Sequence, residues 1–268
     1  MEWADQVMSG ELLPEQRQRL ILERLTGEGR VVAQELAQRF GTSEDTIRRD
    51  LRELAAAGLC KRVYGGALPL SPASGSIVER MRAVPERKQA LGPVLAGLMP
   101  AGKVVFIDAG STNLAAVRAL PPSYPLTIIT NAPLVAAEAA LREGVELIVI
   151  GGCVDRRSGA AVGARSLRDV ADLRPDVFVL GTCALDSNCG IAAFGCEEAE
   201  FKRAVIEKSR RVIAAATTDK LGTCAPFAVA PLSALSAIVL ETEASAEQIA
   251  VFQNAGIEVH QPIERSGS

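Results

Sequence analysis

The apolar run VVFID, 104–108, leads straight into Ala109, Gly110, Ser111, Thr112 and Asn113. Glycine lets the backbone turn tightly there. The free N–H groups of 110–113, with two hydroxyls, can then surround an anion at a helix N-terminus. Two further apolar runs end in comparable chemistry. LTIIT (126–130) is followed by Asn131 and then Pro133, and ELIVI (146–150) by Gly151 and Gly152, with Arg156 and Arg157 close behind. A fourth run, VIAAA, leads to Thr217, Thr218, Asp219 and Lys220, whose ammonium can meet a phosphate as a point charge. Ser111 and Thr112 alone are matched equally well by plain helix capping, and a lone Lys220 by an ordinary surface lysine. Three successive strand ends of this kind favour a site, because ligands of α/β sheets sit at the carboxyl ends of strands. The candidate anion-binding set is therefore Asp108, Gly110, Ser111, Thr112, Asn113, Asn131, Gly151, Gly152 and Lys220.

A second set lies near the N-terminus, in SEDTIRRDLRELAAAG, 43–58. Ile47, Leu51 and Leu54 are spaced i, i+4, i+7 and share one helical face. Arg49 points almost directly away from that face, with Arg52 and Asp45 flanking it and Thr46 and Arg48 further round. Such a helix can enter the major groove of DNA, where arginine donates bidentately to guanine and Ser43 or Thr46 reaches a base or a phosphate. The plainer alternative is a solvated ion-pair surface, since Asp45–Arg49 and Arg49–Glu53 are both i,i+4 pairs. Lys61 and Arg62 precede Gly65–Gly66, a pattern for a short hairpin wing that touches phosphates.

These residues need positioning elements. Helical periodicity runs over about 15–27 and 32–40. Gly41 permits a tight turn, and Thr42 or Ser43 can cap the next helix. Helix, turn and capped helix make a helix-turn-helix. PLSPASGS, 69–76, reads as a linker. Beyond it a helix spans about 85–99. Continuous apolar runs at 104–108, 126–130, 146–150, 177–181, 212–216 and 237–241 then alternate with helical segments at 114–120, 133–142, 166–173, 197–209 and 246–255. Runs without alternation mark strands buried on both faces, as in a doubly wound, mostly parallel α/β sheet. The spacing predicts a winged helix-turn-helix domain over 14–69, a linker over 70–83 and an α/β domain over 84–262 that carries the candidate anion site.

Composition narrows the classes. The chain has 268 residues, 48% hydrophobic and 23% charged, which suffices for a sizeable core and excludes a disordered chain. Net charge is −3 overall, yet residues 14–68 hold 10 Lys and Arg against 8 Asp and Glu. The N-terminal piece is mildly basic and the bulk acidic. No apolar run reaches the ~18–20 residues of a membrane helix. MEWADQVMSGELLPEQ has no basic start and apolar centre, so no signal peptide is expected. The expectation is a cytoplasmic protein, without membrane association, whose six cysteines are thiols. Cys183, Cys189 and Cys196 cluster without a CxxC pair. With one histidine, His260, no metal site and no cofactor are expected.

The stretch 14–68, most specifically SEDTIRRDLRELAAAGL and RVYGGA, resembles the N-terminal domain of the DeoR family of bacterial transcriptional regulators, with Thr46 to Leu51 in its signature. Asp50 is not an obvious DNA contact; its charge suits it to orient an arginine or cap a neighbour. The later segments are similar to the same family's sensor domain, whose sheet is like that of ribose-5-phosphate isomerases and glucosamine-phosphate deaminases. Matching pieces are Asp108–Thr112, Thr130–Asn131, Gly151–Gly152, and Glu198 with Lys202 and Arg203. Departures are TTDKLG, where Lys220 matches but the preceding acid is displaced, and Asn113 in place of threonine. The resemblance implies a regulator that binds double-stranded operator DNA, commonly represses catabolic operons, senses a phosphorylated sugar or related metabolite, and forms a dimer or tetramer. Two rivals remain: an isomerase- or deaminase-like enzyme, for which no acid-base pair is evident by spacing, and a redox sensor built on the cysteines. The expectation is a non-enzyme.

Overall fold

The computed structural model describes residues 12–28, 30–69, 71 and 75–263. The N-terminal stretch weighed above as a signal peptide lies largely outside them. Two compact units emerge, one of residues up to Ser71 with Gly222–Cys224, the other comprising Pro72–Leu221 and the residues from Ala225 onward.

In the smaller unit, helix α1 (Pro14–Glu28) is followed by strand β1 (Val31–Val32), helix α2 (Ala33–Arg39) and helix α3 (Glu44–Ala56). The hairpin β2 (Cys60–Val63) and β3 (Gly66–Pro69) completes it, in the sheet order β1-β3-β2. Strand β1 occupies Val32, which periodicity assigns to the second helix. Ile21, Leu36, Ile47, Leu51 and Leu54 form the core. The i, i+4, i+7 apolar face of α3 is thus the buried one. Gly65 at the hairpin tip has φ +80°, and a side chain at Gly66 would collide with the carbonyl of Val31. Asp50 is buried and forms a bidentate pair with Arg17, whose Nη2 donates at 3.0 Å. The pair fastens α1 to the inner side of α3 and leaves the outer side to solvent.

The larger unit begins with α4 (Ile77–Arg82), inside the segment predicted as linker. Ser76 caps it: its hydroxyl accepts from Glu79 N while the Glu79 carboxylate accepts from Ser76 N at 2.7 Å. A capping box of this kind stabilises even a six-residue helix. Then come α5 (Pro85–Gly97), β4 (Val104–Ile107), α6 (Ser111–Arg118), β5 (Leu126–Thr130), α7 (Pro133–Ala139) and β6 (Val145–Val149). A small hairpin, β7 (Cys153–Asp155) and β8 (Ala160–Val162), precedes α8 (Ala164–Ala171) and β9 (Val177–Gly181). The short strands β10 (Ala184–Asp186) and β11 (Gly190–Ala193) lead to α9 (Cys196–Lys208) and β12 (Arg211–Ala216). The chain closes with β13 (Phe227–Ala230), β14 (Ala237–Leu240), α10 (Ala246–Asn254) and β15 (Glu258–His260).

Seven strands pair in parallel in the order β15-β14-β12-β9-β4-β5-β6. From β4 the chain steps outward to β5 and β6, then returns to the other side of β4 as β9 and proceeds outward again. Right-handed crossovers therefore place the helices of the two halves on opposite faces. The direction of travel reverses between β4 and β9. Phe106 on β4, Phe178 on β9 and Phe201 on α9 pack there, with ring centroids 5.5 and 5.9 Å apart. No described helix is long and apolar enough to cross a membrane.

Candidate functional site

A crevice opens where strand order reverses, beyond the carboxyl ends of β4, β9 and β12. The empty space there, open mouth included, measures about 530 Å³. Gly110 to Asn113 form one wall, Gly181 and Thr182 the floor, and Thr217, Asp219 and Lys220 the opposite wall. Arg80, Val84 and Lys88 close the fourth side.

Helix α6 starts at Ser111, not at Leu114 as periodicity suggests, with Gly110 as its N-cap residue. Ser111, Thr112 and Asn113 are thus its first turn, and their N–H groups belong to the end that carries partial positive charge. The Oγ1 of Thr112 is buried and makes no hydrogen bond among the described residues. Such a group costs free energy until something meets it. Asn113 turns inward: its Nδ2 donates to Asp108 O at 3.0 Å and to Val179 O at 3.2 Å, which ties the loop to β9.

Beneath the floor lies a buried charge cluster. Phe201 packs α9 under β4 and β9, and the helical repeat then carries Glu198 and Lys202 to the strand ends. Lys202 Nζ donates to Glu198 Oε1 and to Gly181 O, each at 2.7 Å, and stands 3.5 Å from Asp108 Oδ2. Asp108 also accepts from Ala109 N at 2.7 Å and Gly181 N at 3.0 Å. Burial pushes Asp108 upward, against the pull of Lys202. Burial pushes Glu198 the same way, but the charge and hydrogen bond of Lys202 outweigh it and its carboxyl is held low. Lys202 itself is kept charged, because the charge and hydrogen bond of Glu198, with Asp108 nearby, overcome its desolvation. A side chain at Gly181 would strike Ala109 O and approach Asp108 Oδ2 to 2.9 Å. Glycine is required where the loop after β4 crosses the end of β9.

The cavity wall is cationic. Lys220 Nζ donates to Thr182 O at 2.9 Å, and desolvation pushes its ammonium down to about 8. Arg80 Nη2 donates to the carbonyls of Arg157 and Ser158 at 2.9 and 3.1 Å, while its buried Nε has no partner among the described residues. Lys88 donates to Ala83 O at 2.6 Å and to Arg80 O, holding the end of α4; burial lowers its pKa. Val84 links α4 to α5 with φ +40° and ψ +57°, a left-handed conformation that costs a β-branched residue about 1–3 kcal/mol. The one carboxylate in the lining, Asp219, stands 3.5 Å from Arg87.

Gly110, Ser111, Thr112, Asn113 and Lys220 come together in this cavity. Asp108 does not line it; it braces the wall from below. Asn131, Gly151 and Gly152 do not line it either. They follow β5 and β6, on the far side of β4 from the crevice. Asn131 Nδ2 donates to Ala161 O at 3.0 Å, and Gly151 O accepts from Ser166 Oγ at 2.9 Å. Arg80 and Lys88 escaped the sequence reading, because neither sits at a strand end. The Ser76–Glu79 box was the signal for the helix that presents Arg80.

On α3, Ser43 Oγ accepts from Thr46 N at 3.1 Å and lies 2.8 Å from Thr46 Oγ1, so both residues cap the helix start. Arg48 pairs with Glu44 at 2.7 Å and with Asp45 at 3.8 Å. Arg49 and Arg52 are exposed and, among the described residues, form no ion pair. Lys61 and Arg62 lie on β2 of the hairpin, Lys61 half-buried and Arg62 exposed.

The cysteines depart from the expected six thiols. Cys60, Cys153, Cys183 and Cys196 carry thiols, but Cys189 and Cys224 are disulfide-bonded. Burial raises the Cys183 thiol, away from the thiolate a reactive sulfur needs.

A family profile described as the DeoR-like helix-turn-helix domain matches residues 17–72, and one described as the DeoR C terminal sensor domain matches 84–242. The glycerol-3-phosphate regulon repressor of Escherichia coli K12 is 34% identical over 224 residues, covering 83% of this chain and 89% of that protein. The HTH-type transcriptional regulator GlpR of Haloferax volcanii is 32% identical over 257 residues, covering 95% and 100%. Among solved structures, ribose 5-phosphate isomerase A of Methanocaldococcus jannaschii aligns with TM-score 0.37 and 13% identity over 51% of this chain and 54% of that one. A likeness that low carries no functional argument.

Proposed function

The chain belongs to the DeoR family of transcriptional regulators, and we propose that it works as a homo-oligomeric repressor released from its operator by a small phosphorylated sugar or polyol. The carrying observation is the cavity at the β4–β9 reversal. Arg80, Lys88 and Lys220, the first turn of α6 and the unpartnered Thr112 hydroxyl all face the space a phosphate ester would fill. The relative named for the glycerol-3-phosphate regulon supports a ligand of that chemical class. A ligand that prefers one arrangement of the oligomer shifts the population toward it and changes the affinity for DNA by the same coupling. Catalysis finds no support in the lining. Among the described residues it offers one carboxylate, Asp219, which stands beside Arg87, and no histidine.

Thermal unfolding with a panel of sugar and polyol phosphates, each beside its unphosphorylated parent, tests the reading. An ester at ~100 times its Kd adds about 2.7 kcal/mol of stability, and its parent adds none. Lys220→Ala keeps operator binding and loses most of that response. Equal stabilisation by ester and parent, or a wild-type response in the variant, refutes it.

The pH dependence has a definite sign. Unliganded Lys220 loses its proton through about pH 8, and a bound dianion favours the protonated form. Binding above that pH must take up a proton, so affinity falls with rising pH by up to about tenfold per unit. Below about pH 6 the ester loses its second charge and affinity falls again. Lys220→Arg, charged throughout, should flatten the alkaline limb alone in calorimetric titrations. An unchanged alkaline limb would detach Lys220 from the anion.

A further inference from the structure

We infer that β6, the free edge of the seven-stranded sheet, is the seam across which a second copy of this chain docks, strand to strand and antiparallel. The inference rests on the homo-oligomer reading above and deepens it by naming its surface.

Strand β6 ends the sheet, with β5 on one side and no strand among the described residues on the other. Its outward backbone groups are a template for another strand. Edge strands of proteins that stay single carry charges, proline or a bulge to prevent such pairing. VELIV has one charge and no proline, and its five-residue register with β5 runs without a shift. Apolar exposure also gathers here. Among the described residues, two of the exposed large hydrophobics, Ile148 and Val149, lie on this one strand. Ile148 and Val149 are 41% and 52% exposed, on strand positions that are normally covered. The opposite edge, β15, is three residues long and carries Glu258 and His260.

A second copy fits because the strand is complementary to itself. Antiparallel pairing about a two-fold axis at Leu147 sets Val145 against Val149 and Glu146 against Ile148. Positions 145, 147 and 149 then share one face, and no like charges stand directly opposed. Each Glu146 is turned back to Thr127 of its own chain, whose Oγ1 donates to it at 3.0 Å. The result is an isologous interface, the symmetry a helix-turn-helix protein uses to read paired half-sites.

Sedimentation equilibrium of the full chain tests the seam and its register together, with Val145→Lys, Val149→Glu and the double variant V145K/V149E. The expected wild-type mass is a dimer or an even multiple. Each single variant halves it. The double variant restores it, because each introduced lysine then faces the introduced glutamate of the other copy, once on either side of the axis. Circular dichroism confirms folding; should Val149→Glu unfold, Ile148→Glu puts the same question at a neighbouring exposed position, where it stands against Glu146 of the other copy. Single variants that keep the wild-type mass overturn the seam while leaving the oligomer reading intact. A monomeric wild type overturns both. Halved masses in all three variants overturn the antiparallel register.

Discussion

Lys202→Met is expected to destabilise the α/β unit by about 3–5 kcal/mol, the cost of leaving a buried carboxylate without its partner. Lys202 is 3% exposed and Glu198 6%, so water cannot compensate. In a domain of this size that loss lowers the unfolding midpoint by about 6–20 °C. The ammonium also bonds to Gly181 O, so its removal unfastens the cavity floor from α9 as well. The double variant E198Q/K202M removes both members of the 2.7 Å pair and should recover part of the loss. Calorimetry and urea titration measure both. A Lys202→Met protein within about 1 kcal/mol of wild type would mean that the cluster does not hold the strand ends together.

Arg49→Ala should weaken specific operator recognition strongly while leaving the fold intact. Arg49 lies on the outer side of α3, its inner side being fixed by Ile47, Leu51 and the Asp50–Arg17 pair. No carboxylate among the described residues occupies its guanidinium. A bidentate contact to a base is worth about 1–3 kcal/mol of discrimination, or about 5–150-fold in affinity. Arg48→Ala should cost less, because the charge of Arg48 is already engaged by Glu44 and Asp45. Replacing Lys61 and Arg62 should weaken binding to all sequences alike and reduce its salt dependence. Fluorescence anisotropy on operator and scrambled duplexes separates the cases. Unchanged operator affinity in Arg49→Ala would remove α3 from the base-reading role.

Six of the seven strands of the large sheet were legible because they are written as unbroken apolar runs; β15, with Glu258 and His260 in three residues, has no such run. Helix α3 was legible because one face must be apolar and its start must be capped. Strand order leaves no such trace. Asn131, Gly151 and Gly152 carry the same residue types as the loop at 110–113, yet they follow strands on the wrong side of β4. Only the return of β9 decides which side holds the crevice. Helix α4 was hidden for a different reason. Pro69, Pro72 and Gly75 dominate the local composition, and six residues are too few for periodicity to register. The three-residue strands, among them β7, β8 and β10, fall below that threshold too.

The place where the strand order reverses also bears on how the protein is made. The crevice joins residues 110–113 to 181–182 and 217–220, partners separated by about 70 to 110 positions in the chain. Contacts of such long range pay their loop-closure entropy before they return any energy, so this region is expected to mature late in folding. A growing chain released before β12 has no crevice, whatever its N-terminal residues have already formed. Effector would therefore bind finished α/β domains alone, and its stabilisation would appear in hydrogen exchange across all the central strands together rather than around one loop.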